Sequence, residues 1–403
     1  MVKSDNVASA VEQEHYAYRP GVVIHADLYV ENTTSMENDA DNPIHEAEDP
    51  PEQSPISISL TVVQTLSTTL SCVLLVDVSD GYQLPTSSPV TSTPLPSTSK
   101  AVLKLCDRRF SAGLREDYDA AIWTPQVERK HRKFMTIPED VRFACSANSE
   151  DDSWRYCSSD EDGSASKSRR KKSTNMAKKK RVSNEHWSSG HREAYIEQVA
   201  QKLYRTEVAI YRQLRELQGE DVPFIYGTVR LQKVGRRSLG KLDVRGMLMQ
   251  YIDPSFSLRD IPERIPDQTR WQEVGEAAVK VVQVVGDYGI LNDDVRLDNI
   301  LVVPTREEDE KQADADSEDQ PERSTQRFKT VMIDFGIARA QRKNETDDEF
   351  RRERRRCDEE GAVGYVLEKH LMKAKQSSNC PHFKYRPSRR LDRPWDNDEE
   401  DNW

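Results

Sequence analysis

Two stretches of this chain carry polar residues in an order that can do chemistry. The first is Gly289-Ile-Leu-Asn292-Asp293-Asp294-Val-Arg296-Leu-Asp298-Asn299-Ile-Leu-Val302, and the second, beyond a long acidic insert, is Val331-Met-Ile-Asp334-Phe-Gly336. A loop carboxylate such as Asp294 can orient a hydroxyl and take its proton. An amide oxygen (Asn299) and a second carboxylate (Asp334) suit a hard divalent cation such as Mg2+. An Asp-Phe-Gly triplet alone arises often by chance. The spacing of Asp294 and Asn299, the short apolar runs flanking both motifs and the order of the motifs carry the signal.

The elements that must position these residues follow from periodicity. Ile56 to Val63 and Cys72 to Val78 are β-branched and leucine-rich runs around the polar Gln64 to Ser71, which predicts a hairpin. The Ser/Thr/Pro segment Pro85 to Ser99 reads as a loop leading to a third strand at Ala101 to Leu105. From Ala194, apolar residues recur at helical spacing through Val208, Ile210, Tyr211, Leu214 and Leu217, and Gly219 supplies a stop. Strands are expected at Phe224 to Leu231 and Arg245 to Ile252, and a helix over Trp271 to Asp287 despite Gly275. Two short strands, Asn299 to Val303 and Thr330 to Ile333, flank the acidic Glu307 to Glu322.

With 32% charged and only 35% hydrophobic residues, the 403-residue chain is too polar to bury a core along its whole length. The boundaries that follow are a disordered acidic arm (1–55) whose one candidate strand is Val22-Val23-Ile24, a strand-rich part (56–145) and a disordered charged insertion (146–190). Next come a long helix with the remaining strands (191–252), a part holding both motifs and the acidic insertion 304–327 (253–375), and a disordered tail (376–403). The net charge of -11 argues against nucleic acid as a partner. Six cysteines without a CxxC pair argue against a zinc site or disulfide framework and fit a reducing compartment. The start lacks a signal-peptide pattern and no apolar run suits a membrane span, so an intracellular monomer, nuclear or cytoplasmic, is expected. The basic clusters Arg169 to Lys172 and Lys178 to Arg181 resemble a nuclear-import signal or an anionic-surface contact and fit a solvated charge run equally well, and Ser158 and Ser159 before Asp160-Glu161-Asp162 read as an acidophilic-kinase acceptor.

Together the two motifs resemble the catalytic loop and magnesium-binding turn of the protein kinase superfamily. The resemblance continues upstream. Ala101-Val-Leu-Lys104 is similar to the strand-lysine motif, Glu207 followed by Ile210, Tyr211 and Leu214 to the helix glutamate, and Gly246 to Ile252 to the strand entering the interlobe hinge. Ala101 to Phe110, Trp123-Thr-Pro, Leu217-Gln-Gly with Val222-Pro223 and Tyr226-Gly227, and Glu359 to Tyr365 resemble a large fungal kinase-like family over most of Leu60 to Leu371 outside the inserts. That family's catalytic loop is similar to those of RIO-type and lipopolysaccharide-kinase-like enzymes.

The resemblance implies an α+β, two-lobed protein-kinase-like fold with a small β-rich N-lobe and a reduced helical C-lobe, and ATP and Mg2+ as cofactors. It implies Asp294 as base, Asn299 and Asp334 on the metal, and Lys104, paired to Glu207, on the α- and β-phosphates. Leu66 and Ser71 would lie in the phosphate-covering loop, with Met249 as gatekeeper and Gln250 and Ile252 against adenine. The implied activity is phosphate transfer from Mg-ATP to a Ser/Thr hydroxyl, with a nucleotide-binding or scaffold pseudokinase and a small-molecule kinase as alternatives. Departures from the pattern keep the alternatives open, and with them the acceptor, protein or small molecule. Leu66, Thr68 and Ser71 stand at the three loop glycines, Asn292-Asp293 at the His-Arg pair, no Ala-Pro-Glu follows, and Ile337 to Trp403 is short and charged.

Overall fold

The computed structural model describes residues 18–30, 54–79, 83–84, 99–138, 187–232, 243–305, 327–374, 383–388 and 390–391. The loop at 85–98, both basic clusters, Ser158 and Ser159, and the acidic insert at 306–326 lie outside the described residues. No helix among the described residues is long and apolar enough to cross a membrane.

Six antiparallel strands close a barrel in the order β1-β2-β3-β4-β6-β5: β1 (Val23–Tyr29), β2 (Ile56–Ser67), β3 (Cys72–Ser79), β4 (Lys100–Cys106), β5 (Ile225–Leu231) and β6 (Arg245–Gln250). Alternate side chains point inward, as a two-residue period requires. Leu60, Val62, Leu74, Val76, Ala101, Leu103, Leu105 and Leu248 therefore fill the barrel. The same alternation turns Val102 and Lys104 outward.

Two expected disordered stretches contain structure. Within the acidic arm, β1 pairs with β2 (Val23 opposite Thr61) and with β5 (Tyr29 opposite Thr228), closing the barrel. Only Ile24, Ala26 and Leu28 face inward, an alternation between polar residues too short to stand out. In the 376–403 tail, Phe383 and Tyr385 are buried in the second core. Their rings occupy the space that Cβ atoms at Gly275 and Gly364 would need. Gly275 therefore interrupts no helix; it makes room for a ring. Gly364→Ala should lower stability by roughly 1–3 kcal/mol through overpacking, and Tyr385→Ala in the same chain should remove most of the strain. Urea unfolding of the single and double variants measures both effects.

The second core gathers the C-terminal half of α3 (Ser189–Gln213), α4 (Trp271–Asp287), α6 (Glu359–Ala374) and the short strands that follow. α3 begins inside the segment expected as an insertion, capped by Ser188. The short strands are β7 (Phe256–Ser257), β8 (Ile290–Asn292), β9 (Ile300–Thr305) and β10 (Arg327–Met332); β11 (Ala338–Ala340) pairs with β8. β9 and β10 pair from Ile300 opposite Met332 to Thr305 opposite Arg327. Their inner ends hold the two motifs together while the acidic insert leaves from the outer end.

Among the described residues, three helices of six or more residues were not expected. α1 (Ala112–Asp117) and α2 (Pro125–Met135) follow β4, and α2 starts with a Thr124 cap and proline in the first turn. α5 (Asp347–Cys357) starts with a capping box in which Thr346 and Glu349 satisfy each other's backbone N–H groups. Both starts were legible as Thr-Pro and Thr-x-x-Glu. The abundance of charge around them hid the signal.

Candidate active site

Lys104 leaves the barrel wall on β4, and Glu207 comes from the face of α3 that also carries Ile210, Tyr211 and Leu214. Residues three, four and seven apart share a helix face, so the apolar residues that anchor α3 also carry Glu207 inward, where it is 3% exposed. Lys104 Nζ donates to Glu207 Oε1 at 2.7 Å and to Asp334 Oδ1 at 2.8 Å. Phe335 is fully buried edge-on against Tyr211 at 5.1 Å, and its N–H donates to Glu207 Oε1 at 3.4 Å. Asp334 has φ +67°, a left-handed conformation that non-glycine residues rarely adopt and that concentrates at functional sites.

The loop after β8 is organised around Asn292 and Asn299. Asn292 Nδ2 donates to the Asp334 carbonyl at 3.3 Å, and its Oδ1 accepts the Asp294 N–H at 3.0 Å. Asn299 Nδ2 donates to Asp294 O and Oδ2 at 3.0 and 3.1 Å, and the Asn299 carbonyl accepts Ile333 N–H at 2.9 Å. Arg296 Nη2 lies 2.9 Å from Asp294 Oδ2. Asn292 entered the sequence reading only as a departure from a pattern, and Arg296 was not singled out. A polar side chain bridging two distant segments leaves no mark in the primary sequence.

Burial would raise Asp334, but the Lys104 ammonium beside it holds its carboxyl below the usual range. Burial would likewise lower Lys104, and Asp334 and Glu207 together reverse that and push it up. Glu207 is raised, chiefly by burial and against Lys104. Asp294 is raised by burial, with Arg296 opposing. A buried carboxyl with a raised pKa and an anchored orientation suits a proton acceptor.

Asp334 and Asn299 offer oxygen donors of the kind a hard divalent cation takes. Lys104 takes one oxygen of Asp334, and Asn299 turns its amide nitrogen toward Asp294, which leaves its oxygen for a cation. Among the described residues no three His, Cys, Asp or Glu side chains converge as a metal cage.

The remaining expected contacts are mixed. Ser71 joins Lys104, Glu207 and Asp334 in lining a small cavity of about 30 Å³. Phosphates would have to reach Asp334 from its open side, where its side chain is 31% exposed. Leu66 is 44% exposed and does not line the cavity. Met249 is buried in the second core. Gln250 N–H donates to Phe224 O at 2.8 Å, its Oε1 accepts Phe224 N–H at 3.1 Å, and Ile252 O accepts Ser255 Oγ at 2.6 Å. The glycine-free turn is held by α1: Ala112 and Gly113 N–H donate to the carbonyls of Thr68 and Thr69 at 2.8 and 2.9 Å.

Two supports for the site escaped the sequence reading. Arg108 binds Glu193 at 2.6 Å and Glu128 at 2.5 Å, and Arg115 also binds Glu193, tying α3 to α1, α2 and the end of β4 through buried charges. Glu359 Oε1 accepts the Asn292 N–H at 2.7 Å. Burial raises Glu359 from 4.5 to about 7 against that bond and Arg354, with Asp293 and Glu360 adding to the rise. Between those values the native state holds a proton that the unfolded chain has released. Stability should therefore fall by roughly 3 kcal/mol as pH rises through this window. Glu359→Gln should flatten that part of the profile, read as the wild-type minus variant difference in urea midpoint from pH 4 to 8.

No family model matches the sequence, and no curated protein matches it. Among solved structures the chain is similar to one titled "WaaP in complex with acyl carrier protein", at 16% identity and a TM-score of 0.23 over 43% of this chain and 76% of that one. At that score the likeness bears no weight.

Proposed function

We propose that this chain is a protein-kinase-like phosphotransferase with a two-lobed fold, moving the γ-phosphate of Mg-ATP to a Ser/Thr hydroxyl. The observation that carries the reading is the meeting of Lys104, Glu207 and Asp334, beside the bonded pair Asp294 and Asn299, from segments far apart in sequence. Lys104, held by Glu207, would present its ammonium to the phosphates. Asp334 and the Asn299 oxygen would hold Mg2+, which when bound supplies charge neutralisation on the phosphates. Asp294 would take the hydroxyl proton as the oxygen bonds to the γ-phosphorus and the bond to the β-phosphate oxygen breaks. Arg296, 2.9 Å from Asp294 Oδ2, would offset charge on the transferred group.

A second reading, a nucleotide-binding or scaffold pseudokinase, draws support from the turn after β2. Leu70 packs with Leu114, Ile196 and Val199, and the turn's carbonyls are bonded to α1. Such a turn lacks the freedom of glycine to close over phosphates.

Magnesium-dependent ATP turnover of wild type and Asp334→Ala separates the two, with nucleotide-induced melting shifts measured alongside. Turnover well above the variant supports transfer. Equal inertness with a retained shift selects the nucleotide-binding pseudokinase, and absence of both overturns the phosphotransferase and leaves a scaffold that binds no nucleotide.

A further inference from the structure

The strongest unassigned feature lies beside the catalytic loop, on the segment following Asp334. β11, the turn after it and α5 enclose an open polar groove of about 500 Å³ whose cations are Arg339, Arg342, Arg352 and Arg356. Its carboxylates are engaged locally. Glu345 accepts two bonds from Arg339 at 2.8 and 3.0 Å, Glu349 is held in the capping box, and Glu353 accepts from Arg356 at 2.8 Å. The exposed guanidinium groups of Arg342 and Arg352 make no hydrogen bond or ion pair among the described residues. The groove lies close to the loop that carries Asp294, because Cys357, the residue after Arg356, donates from Sγ to Asp293 Oδ1 at 3.8 Å.

We infer that this groove binds an acidic polypeptide segment and so selects acceptor hydroxyls with aspartate or glutamate nearby. The inference deepens the phosphotransferase reading and rests on it for the word acceptor; the binding itself does not. Arg356 is bonded to Glu353, so Arg352 on α5 and Arg342 on the turn are the guanidinium groups open to an incoming carboxylate. Arg342 faces the same groove from the turn, and guanidinium forks suit carboxylates in two-bond geometry.

The test uses the full chain and two fluorescent serine-centred peptides of equal length, one flanked by aspartates and one by alanines. Binding is read by anisotropy at low and high salt, and transfer by phosphate incorporation from Mg-ATP. Wild type should bind the acidic peptide roughly tenfold more tightly than the neutral one, with the difference shrinking in high salt, because the charges are exposed. The double variant Arg342→Glu with Arg352→Glu should lose or reverse the preference while keeping its nucleotide-induced melting shift. Equal binding of both peptides by wild type overturns the proposal, as does a preference that survives charge reversal. So does binding of anionic vesicles through the same arginines without binding of the peptide. Selective binding through Arg342 and Arg352 with no phosphate incorporated leaves the groove standing and sinks the phosphotransferase reading instead.

Discussion

Replacing Lys104 by methionine should lower the stability of the chain by roughly 3–5 kcal/mol, the cost of breaking a buried ion pair from one side. The ammonium lies between Glu207 and Asp334, and its side chain is 13% exposed while that of Glu207 is 4%. Without it, two carboxylates face each other with only the Phe335 N–H left to Glu207. One of them must take up a proton, so the loss should be greatest at high pH and smaller in acid. Adding Glu207→Gln to Lys104→Met should recover part of the stability, because the buried charge is removed while a hydrogen-bonding shape is kept. Urea unfolding of the two variants at pH 6 and pH 8 gives the comparison. A Lys104→Met chain as stable as wild type at both values would mean that the three groups do not meet in solution.

Asp294→Asn should behave in the opposite way, leaving the fold nearly unchanged and removing turnover. The Asp294 N–H bond to Asn292 and the Asn299 bond to the Asp294 carbonyl involve backbone atoms and survive the substitution. Arg296 loses a partner but is 40% exposed, so water replaces it at little cost. An amide cannot take the hydroxyl proton, and losing a positioned base lowers kcat by about 10²–10⁴-fold. The KM for ATP should stay within a few-fold of wild type, since Asp294 touches the acceptor and not the nucleotide in the proposed arrangement. Steady-state phosphotransfer with both proteins at matched folding decides it. A variant with unchanged kcat would remove Asp294 from the chemistry.

Legibility in the sequence varied with the kind of signal. The helix over Trp271 to Asp287 has the bounds that its periodicity predicted, since a one-sided apolar face over many turns leaves a long record. The Glu359 to Tyr365 stretch lies in α6, whose first residue holds the backbone of the loop after β8. β1 left a weak record because three inward positions, one of them alanine, carry little hydrophobic contrast. Phe383 and Tyr385 left none, because two aromatic residues in a charged tail have no period. α5 was hidden by arginines, although its capping box was spelled out in four residues.

What the sequence determined by itself was local: which residues alternate or recur, where helices begin, and that Lys104, Glu207, Asp294, Asn299 and Asp334 have the types and order to form a site. Only the tertiary structure decided which of these touch, and what else reaches them. The bond from Asn292 to the Asp334 carbonyl, the Glu359 carboxylate beneath the loop and the Arg108–Glu193 pair behind α3 join residues 42, 67 and 85 apart. The physical reason is range. Propensity and periodicity act over a few residues and are written in them, whereas a buried polar group is satisfied by whatever partner the packed core delivers to it.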